Sequence, residues 1–182
     1  RAVYCGFLDE PPALTATPRD CALVYLGAGS VPAGVAIRAG RELADVLSCD
    51  VYVAGVPEAT QVSGGHTVTC APRFDVADFL PRARVFVHHG GQNSMMDALS
   101  YAVPQVLVPG RVFERQFNAE AVENARCGLT VHAPKPALIA RAARRIVVDE
   151  PALTSGIRGL RAELSSLGGT KRIVREVEKL IS

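Results

Sequence analysis

The chain has 182 residues, 48% of them hydrophobic, and a formal net charge of +2, enough for one domain with a substantial core and cramped for two. Aromatics make up only 5% and the arginines are scattered, so neither nucleic acid nor a membrane surface is expected as a partner. No apolar run reaches the roughly eighteen residues of a membrane span. Arg1 onward carries neither a start methionine nor a secretory leader, and the expectation is a cytoplasmic segment of a longer protein.

Cysteines at positions 5, 21, 49, 70 and 127 are odd in number, widely spaced and without a CxxC pair, which suits a reducing compartment. Histidines at 66, 88, 89 and 132 offer no HxxxH or HxH spacing. No metal site is expected, and no cofactor.

In chain order, residues 1–19 carry Pro11, Pro12 and Pro18 with little periodicity and read as an extended linker leading into a domain over 20–182. Residues 22–26 form an apolar strand, Gly27, Ala28, Gly29 and Ser30 a tight turn, and Pro32 suits the first turn of a helix running to about Leu47. Pro32 stands where a dinucleotide fingerprint needs its third glycine, and no acidic residue ends the next strand, 51–54. A nicotinamide or flavin site is therefore not expected. A weaker strand over 67–70 leaves His66 beside Gly64 and Gly65 in a loop, and a short helical turn follows Pro72, Arg73 and Phe74.

Residues 85–87 are a β-branched and aromatic run of the kind that makes a buried strand. Beyond His88, His89, Gly90 and Gly91 a helix is expected from about Ser94 to 102, then a strand over 105–108 and a loop carrying Arg111, Glu114 and Arg115. A helix over 116–126 is closed by Gly128, a strand covers 129–131, and amphipathic helical stretches at 134–147, 153–166 and 169–181 finish the chain. Strands alternating with helices through short connections predict a Rossmann-like, doubly wound parallel α/β sheet, with ligands at the carboxyl ends of its strands.

The segment from Val85 to Ala98, VFVHHGGQNSMMDA, has two readings. A strand that turns on glycines and restarts as a helix leaves backbone N–H groups unpaired, and such a place attracts anions. The glycines admit a close ligand and an imidazole can donate to a phosphate oxygen. Alternatively, Ser94 and Asp97 are spaced as a capping box in which each satisfies the other's backbone N–H.

With those residues in hand, the chain resembles the C-terminal, donor-binding half of GT-B glycosyltransferases of the UDP-glycosyltransferase-like kind, among them the antibiotic and macrolide glycosyltransferases of actinomycetes. The resemblance rests on HHGGQNSMMDAL, then AVPQVLVPG, then ERQFNAEAVENARCG, in that order and spacing. It implies one half of a GT-B fold that binds a UDP- or TDP-linked sugar, with acceptor and general base belonging to an N-terminal domain absent from this chain. Carried over by position, the phosphate-binding histidine is His89, the phosphate contacts are Gly91, Asn93 and Ser94, and the ribose-holding acid is Asp97, shorter than the usual glutamate. Gly29 and Ser30 fall on the loop after the first strand. Glu114 is the acid that holds sugar hydroxyls, and Arg115 replaces the glutamine beside it. Arg73, next to Phe74, stands where many relatives stack a tryptophan on the base, and its planar guanidinium could stack instead. The implied reaction is inverting, metal-independent transfer to a small-molecule, natural-product-like acceptor, with no catalytic residue in this chain. The alternatives are a non-catalytic donor-binding subunit that works with a partner chain, and a nucleotide-sugar epimerase of the same architecture. An acceptor domain upstream on the same gene would separate the first reading from these.

Overall fold

The structure, a computed structural model, describes residues 2–14, 17–27 and 31–181. Among these residues seven strands form one sheet: β1 (Cys21–Tyr25), β2 (Asp50–Ala54), β3 (Ala59–Ser63), β4 (His66–Ala71), β5 (Ala83–His88), β6 (Gln105–Leu107) and β7 (Gly128–Thr130), in spatial order β3-β4-β2-β1-β5-β6-β7. All pairings are parallel except β3 with β4. The expected parallel sheet is thus extended by one antiparallel edge strand, and His66 opens β4 rather than sitting in a loop. Gly64 and Gly65 make the two-residue hairpin turn, with φ of 57° and 83°, the conformation such turns require and side chains resist.

Among the described residues there are seven α-helices: α1 (Ala33–Leu47), α2 (Val76–Phe79), α3 (Gln92–Ser100), α4 (Phe113–Asn124), α5 (Pro136–Arg144), α6 (Ile157–Ser166) and α7 (Gly169–Ile181). A π turn at Arg145–Asp149 and a 3-10 turn at Pro151–Thr154 interrupt the expected 134–147 and 153–166 stretches. Side chains of one strand alternate between two cores. Val85 and Val87 of β5 pack with α1 and α5 on one face, whereas Phe86 packs on the other with Leu80, Ala98 and Val103. Burial on both faces is what the uninterrupted apolar runs of β1 and β5 encode.

Residues 2–14 and 17–20 contain neither helix nor strand. Their first part is nonetheless docked on the domain: Phe7 is buried with Leu99, Ala119 and Ile157, Cys5 and Leu8 carbonyls accept the N–H groups of Gly169 and Thr170, and Arg161 donates to the Pro12 carbonyl. The order of the strands reverses between β1 and β5, since β1 runs on to β2 on one side and neighbours β5 on the other. At such a switch point the loops leaving the two strands diverge and open a crevice.

Candidate functional site

The crevice is built at the ends of β1 and β5, where Tyr25 pairs in register with His88. His88 is fully buried. Its Nδ1 accepts the Gly90 N–H at 3.1 Å, so the ring proton sits on Nε2 and is donated to Gln105 Oε1 at 2.9 Å. Burial holds this imidazole down at about 4, against the upward pull of Gln105, and it is neutral at physiological pH. His88 braces the turn and offers nothing to a ligand.

His89, the next residue, turns the other way and is half-buried. Its Nδ1 lies 3.5 Å from the Tyr25 carbonyl oxygen, and the Tyr25 ring meets it edge-on with centroids 5.4 Å apart. A Cβ placed on Gly91 would come within 2.6 Å of His89 Nε2; the imidazole therefore lies directly against the start of α3. Gly90 has φ of 85°, a conformation open to glycine and strained for other residues.

Gly91 is the N-cap of α3, in extended conformation and with no side-chain cap. This corrects the expectation of a helix beginning near Ser94 and removes the capping-box reading: Ser94 lies in the first turn and Asp97 a turn deeper. The N–H groups of Gln92, Asn93 and Ser94 precede the first intrahelical bond, Met95 N–H to Gly91 O at 3.1 Å, so they point out of the helix beside His89 with its positive end. Asp97 is half-buried, and burial pushes its carboxyl above the ordinary range. Burial also raises the nearby Tyr101 hydroxyl, with Asp97 adding to the rise.

α4 closes the far side. It begins at Phe113, so Glu114 and Arg115 stand in a helical first turn, not in the expected loop. Asn118, 5% exposed, donates to the Gly90 carbonyl at 2.8 Å, and the Arg115 backbone packs against Gly90. Burial and then Arg115 push the His89 imidazole below its ordinary value, while the Tyr25 carbonyl and Glu114 act in the opposite direction. His89, Gly91, Asn93, Ser94, Glu114 and Arg115 are thereby gathered on one edge. Arg73 and Phe74 follow β4 on the same edge, two strands away. Arg73 is exposed, and the Phe74 ring is engaged edge-on with Tyr52 and Phe79 at 5.7 and 5.1 Å. Gly29 and Ser30 lie outside the described residues.

Residues 55–180 match the family model described as the erythromycin biosynthesis protein CIII-like, C-terminal domain. The chain belongs to that family. It is 28% identical to the 10-deoxymethynolide desosaminyltransferase of Streptomyces venezuelae over 98% of this chain and 42% of that protein. Against the NDP-glycosyltransferase YjiC of Bacillus subtilis it is 30% identical over 56% of this chain and 26% of that protein. Among solved structures, the Streptomyces sp. SF2575 glycosyltransferase SsfS6, complexed with thymidine diphosphate, superimposes with a TM-score of 0.69 at 28% identity, covering 98% of this chain and 47% of that one. The calicheamicin glycosyltransferase CalG4 shares the fold, with a TM-score of 0.74 at 24% identity over 95% of this chain and 45% of that one. The chain spans less than half the length of these relatives. This erythromycin CIII-like domain is thus similar to the C-terminal halves of antibiotic glycosyltransferases, the GT-B architecture its motifs resemble.

Sequence reasoning passed over Asn118, Tyr25 and Gln105. Asn118 was the most accessible of the three, as a polar residue on the same helical face as Ala119 and Val122, which are buried. The other two act through a backbone carbonyl and through a partner distant in sequence, and neither leaves a local pattern.

Proposed function

We propose that this chain is the donor-binding domain of an inverting, metal-independent glycosyltransferase that moves a sugar from a UDP- or TDP-sugar to a small, natural-product-like acceptor. The observation that carries this reading is the His89 imidazole seated against the N-terminus of α3, within 2.6 Å of where a Gly91 Cβ would stand. Outward N–H groups, a helix dipole and a ring nitrogen at one point form an anion site. The thymidine diphosphate bound by SsfS6 supports a nucleoside diphosphate as the anion.

In this reading the β-phosphate rests on the N–H groups of Asn93 and Ser94, the Ser94 hydroxyl and His89 Nε2, with Gly91 leaving room for the His89 ring. Asp97 holds the ribose, Arg73 stacks on the base with Phe74 beside it, and Glu114 takes sugar hydroxyls. Arg115, in place of a glutamine, selects an unusual sugar. As the glycosidic bond breaks, negative charge grows on the departing diphosphate, and the fixed positive groups stabilise it where it develops. The acceptor and the base that takes its proton belong to another domain.

Calorimetric titration of the chain with TDP, UDP and thymidine tests the reading. Saturable binding of a diphosphate and not of the nucleoside is expected, with His89→Ala weakening it by about 1 to 3 kcal/mol, the range for a hydrogen bond to a charged group. Absence of binding to both diphosphates at about 10 mM, where even a weak half-site fills, overturns it.

A further inference from the structure

The opposite edge of the sheet carries a second concentration of positive charge. An open cavity of about 410 Å³ is lined there by Arg19, Arg84 and Arg158, with Ser155 beside them and Pro104 and Ile157 among its apolar walls. No carboxylate of the described residues lines it. Arg19 and Arg158 also line the adjoining cavity beside Pro12, Leu14 and Thr17, where again no acidic residue stands among the described residues.

Arg82, Arg144 and Arg145 are matched by acids, Asp20, Asp149 and Glu150 respectively. The cavity arginines are held differently. Arg19 donates to the carbonyls of Ala83 at 3.0 Å and Tyr101 at 2.8 Å, and Arg84 donates to the Leu47 carbonyl. Carbonyls fix where a guanidinium sits without cancelling its charge. Arg158 has no hydrogen-bond or ion-pair partner among the described residues; burial first, and then the Arg158 charge, lower the pKa of Arg19. Two like charges in reach of each other, with no acid between them, favour an anion there.

We propose that this cavity binds a small organic phosphate, its dianionic head on Arg19, Arg84 and Arg158 and its apolar body against Pro104 and Ile157. Three cations, two of them held on carbonyls, match a phosphate monoester, which carries about −1.5 to −2 at pH 7, better than a single carboxylate. The volume is in the range of small-molecule sites. This site is distinct from the diphosphate crevice: Arg84 and His89 lie five residues apart along β5 and its end, roughly 16 Å at 3.3 Å per residue.

The test is calorimetric titration of the chain with phenyl phosphate and with inorganic phosphate, in the native sequence, His89→Ala, Arg158→Gln and Arg158→Glu. Arg158 is exposed and has no bond to lose, so both of its variants keep the fold, which circular dichroism checks. Saturable binding that favours phenyl phosphate, survives His89→Ala, weakens roughly tenfold in Arg158→Gln and vanishes in Arg158→Glu is expected. Binding that His89→Ala abolishes and the Arg158 variants leave intact overturns the proposal, placing the phosphate in the crevice. Equal affinity for the two probes, or no binding of either at about 100 mM, also overturns it.

Discussion

The His89 imidazole occupies the space that a side chain at position 91 would need, its Nε2 within 2.6 Å of the missing Gly91 Cβ. The Gly91 backbone itself is ordinary, with φ of −66° and ψ of 147°, so alanine is excluded there by the ring and not by the chain. Gly91→Ala is therefore expected to leave the thermal midpoint within a few degrees and to weaken TDP binding roughly tenfold by displacing His89. In the His89→Ala background the same change should have almost no further effect on affinity, because the clash and the lost contact are one event. Additive losses in that double-mutant cycle would show that Gly91 and His89 act separately.

His88 makes the turn pH-sensitive. Its imidazole has an ordinary value of 6.5 and is held at about 4 by burial in the folded chain. Between those values the unfolded chain takes up a proton that the folded chain refuses, so the stabilisation is fully present above about 6.5 and lost as pH falls toward 4. The loss amounts to as much as about 3 kcal/mol at 1.36 kcal/mol per pKa unit. Urea unfolding at several pH values should show stability falling across that interval, and His88→Gln should flatten this slope while lowering the plateau.

Asn118 ties α4 to the turn through the Gly90 carbonyl. Asn118→Ala leaves that buried carbonyl unpaired and is expected to lower stability by about 1 to 3 kcal/mol. Because the same bond sets where Glu114 and Arg115 stand relative to His89, diphosphate affinity should fall as well, measured at a temperature where the variant is fully folded. Unchanged affinity in a destabilised variant would make Asn118 a stabilising residue only.

Much of this site was legible because its chemistry is written locally. His89, Gly91, Asn93 and Ser94 sit within six residues, and the glycines and the restart of helical periodicity announce the turn. What the local pattern misjudged was the cap. Ser94 and Asp97 have capping-box spacing, yet the N-cap is Gly91 and the helix begins at Gln92, so both lie inside α3. The antiparallel strand β3 was hidden for a different reason: it is an edge strand in which no residue is fully buried, so the ATQVS run lacks the apolar signal that revealed β1 and β5. The brace of His88 on Gln105 depends on two strands lying side by side, which no local window contains.

Diphosphate binding should also move a proton. The Tyr25 carbonyl can only accept, so the Nδ1 that faces it at 3.5 Å carries the hydrogen, and burial with Arg115 keeps the free ring below its ordinary pKa. A phosphate oxygen can likewise only accept, and Nε2 must be protonated to meet it. Binding of TDP is then coupled to proton uptake at His89. Affinity is expected to weaken with rising pH by up to roughly tenfold per unit between the free-state and bound-state pKa values. Titrations in buffers of different ionisation enthalpy report the uptake directly, and it should vanish in His89→Ala. Equal proton uptake in native and variant chains would mean that the ring switches tautomer and gives up Tyr25 instead.

The last expectation concerns what the chain does alone. His89, Ser94, Asp97 and Glu114 lie along one edge of one sheet and form a single wall, while relatives of this chain are more than twice as long, since it covers 42% of the desosaminyltransferase and 47% of SsfS6. A transfer needs the acceptor hydroxyl aligned on the anomeric carbon and a base in reach of its proton. On this wall His88 is buried and committed to Gly90 and Gln105, and His89 faces the phosphate site as a donor. His66 opens β4 in the antiparallel hairpin and His132 follows β7, both away from the switch point between β1 and β5. The chain should accordingly bind TDP or UDP in the millimolar to micromolar range, as a half-site without closure, and transfer no sugar. Alignment and proximity account for about 7 to 11 kcal/mol in well-oriented systems, and one wall cannot supply them. Incubating the chain with TDP- and UDP-sugars and a panel of hydroxylated acceptors, with mass spectrometry to detect glycoside, measures this. Multiple-turnover transfer by this chain would place acceptor pocket and base within its own residues and reverse the division of labour proposed above.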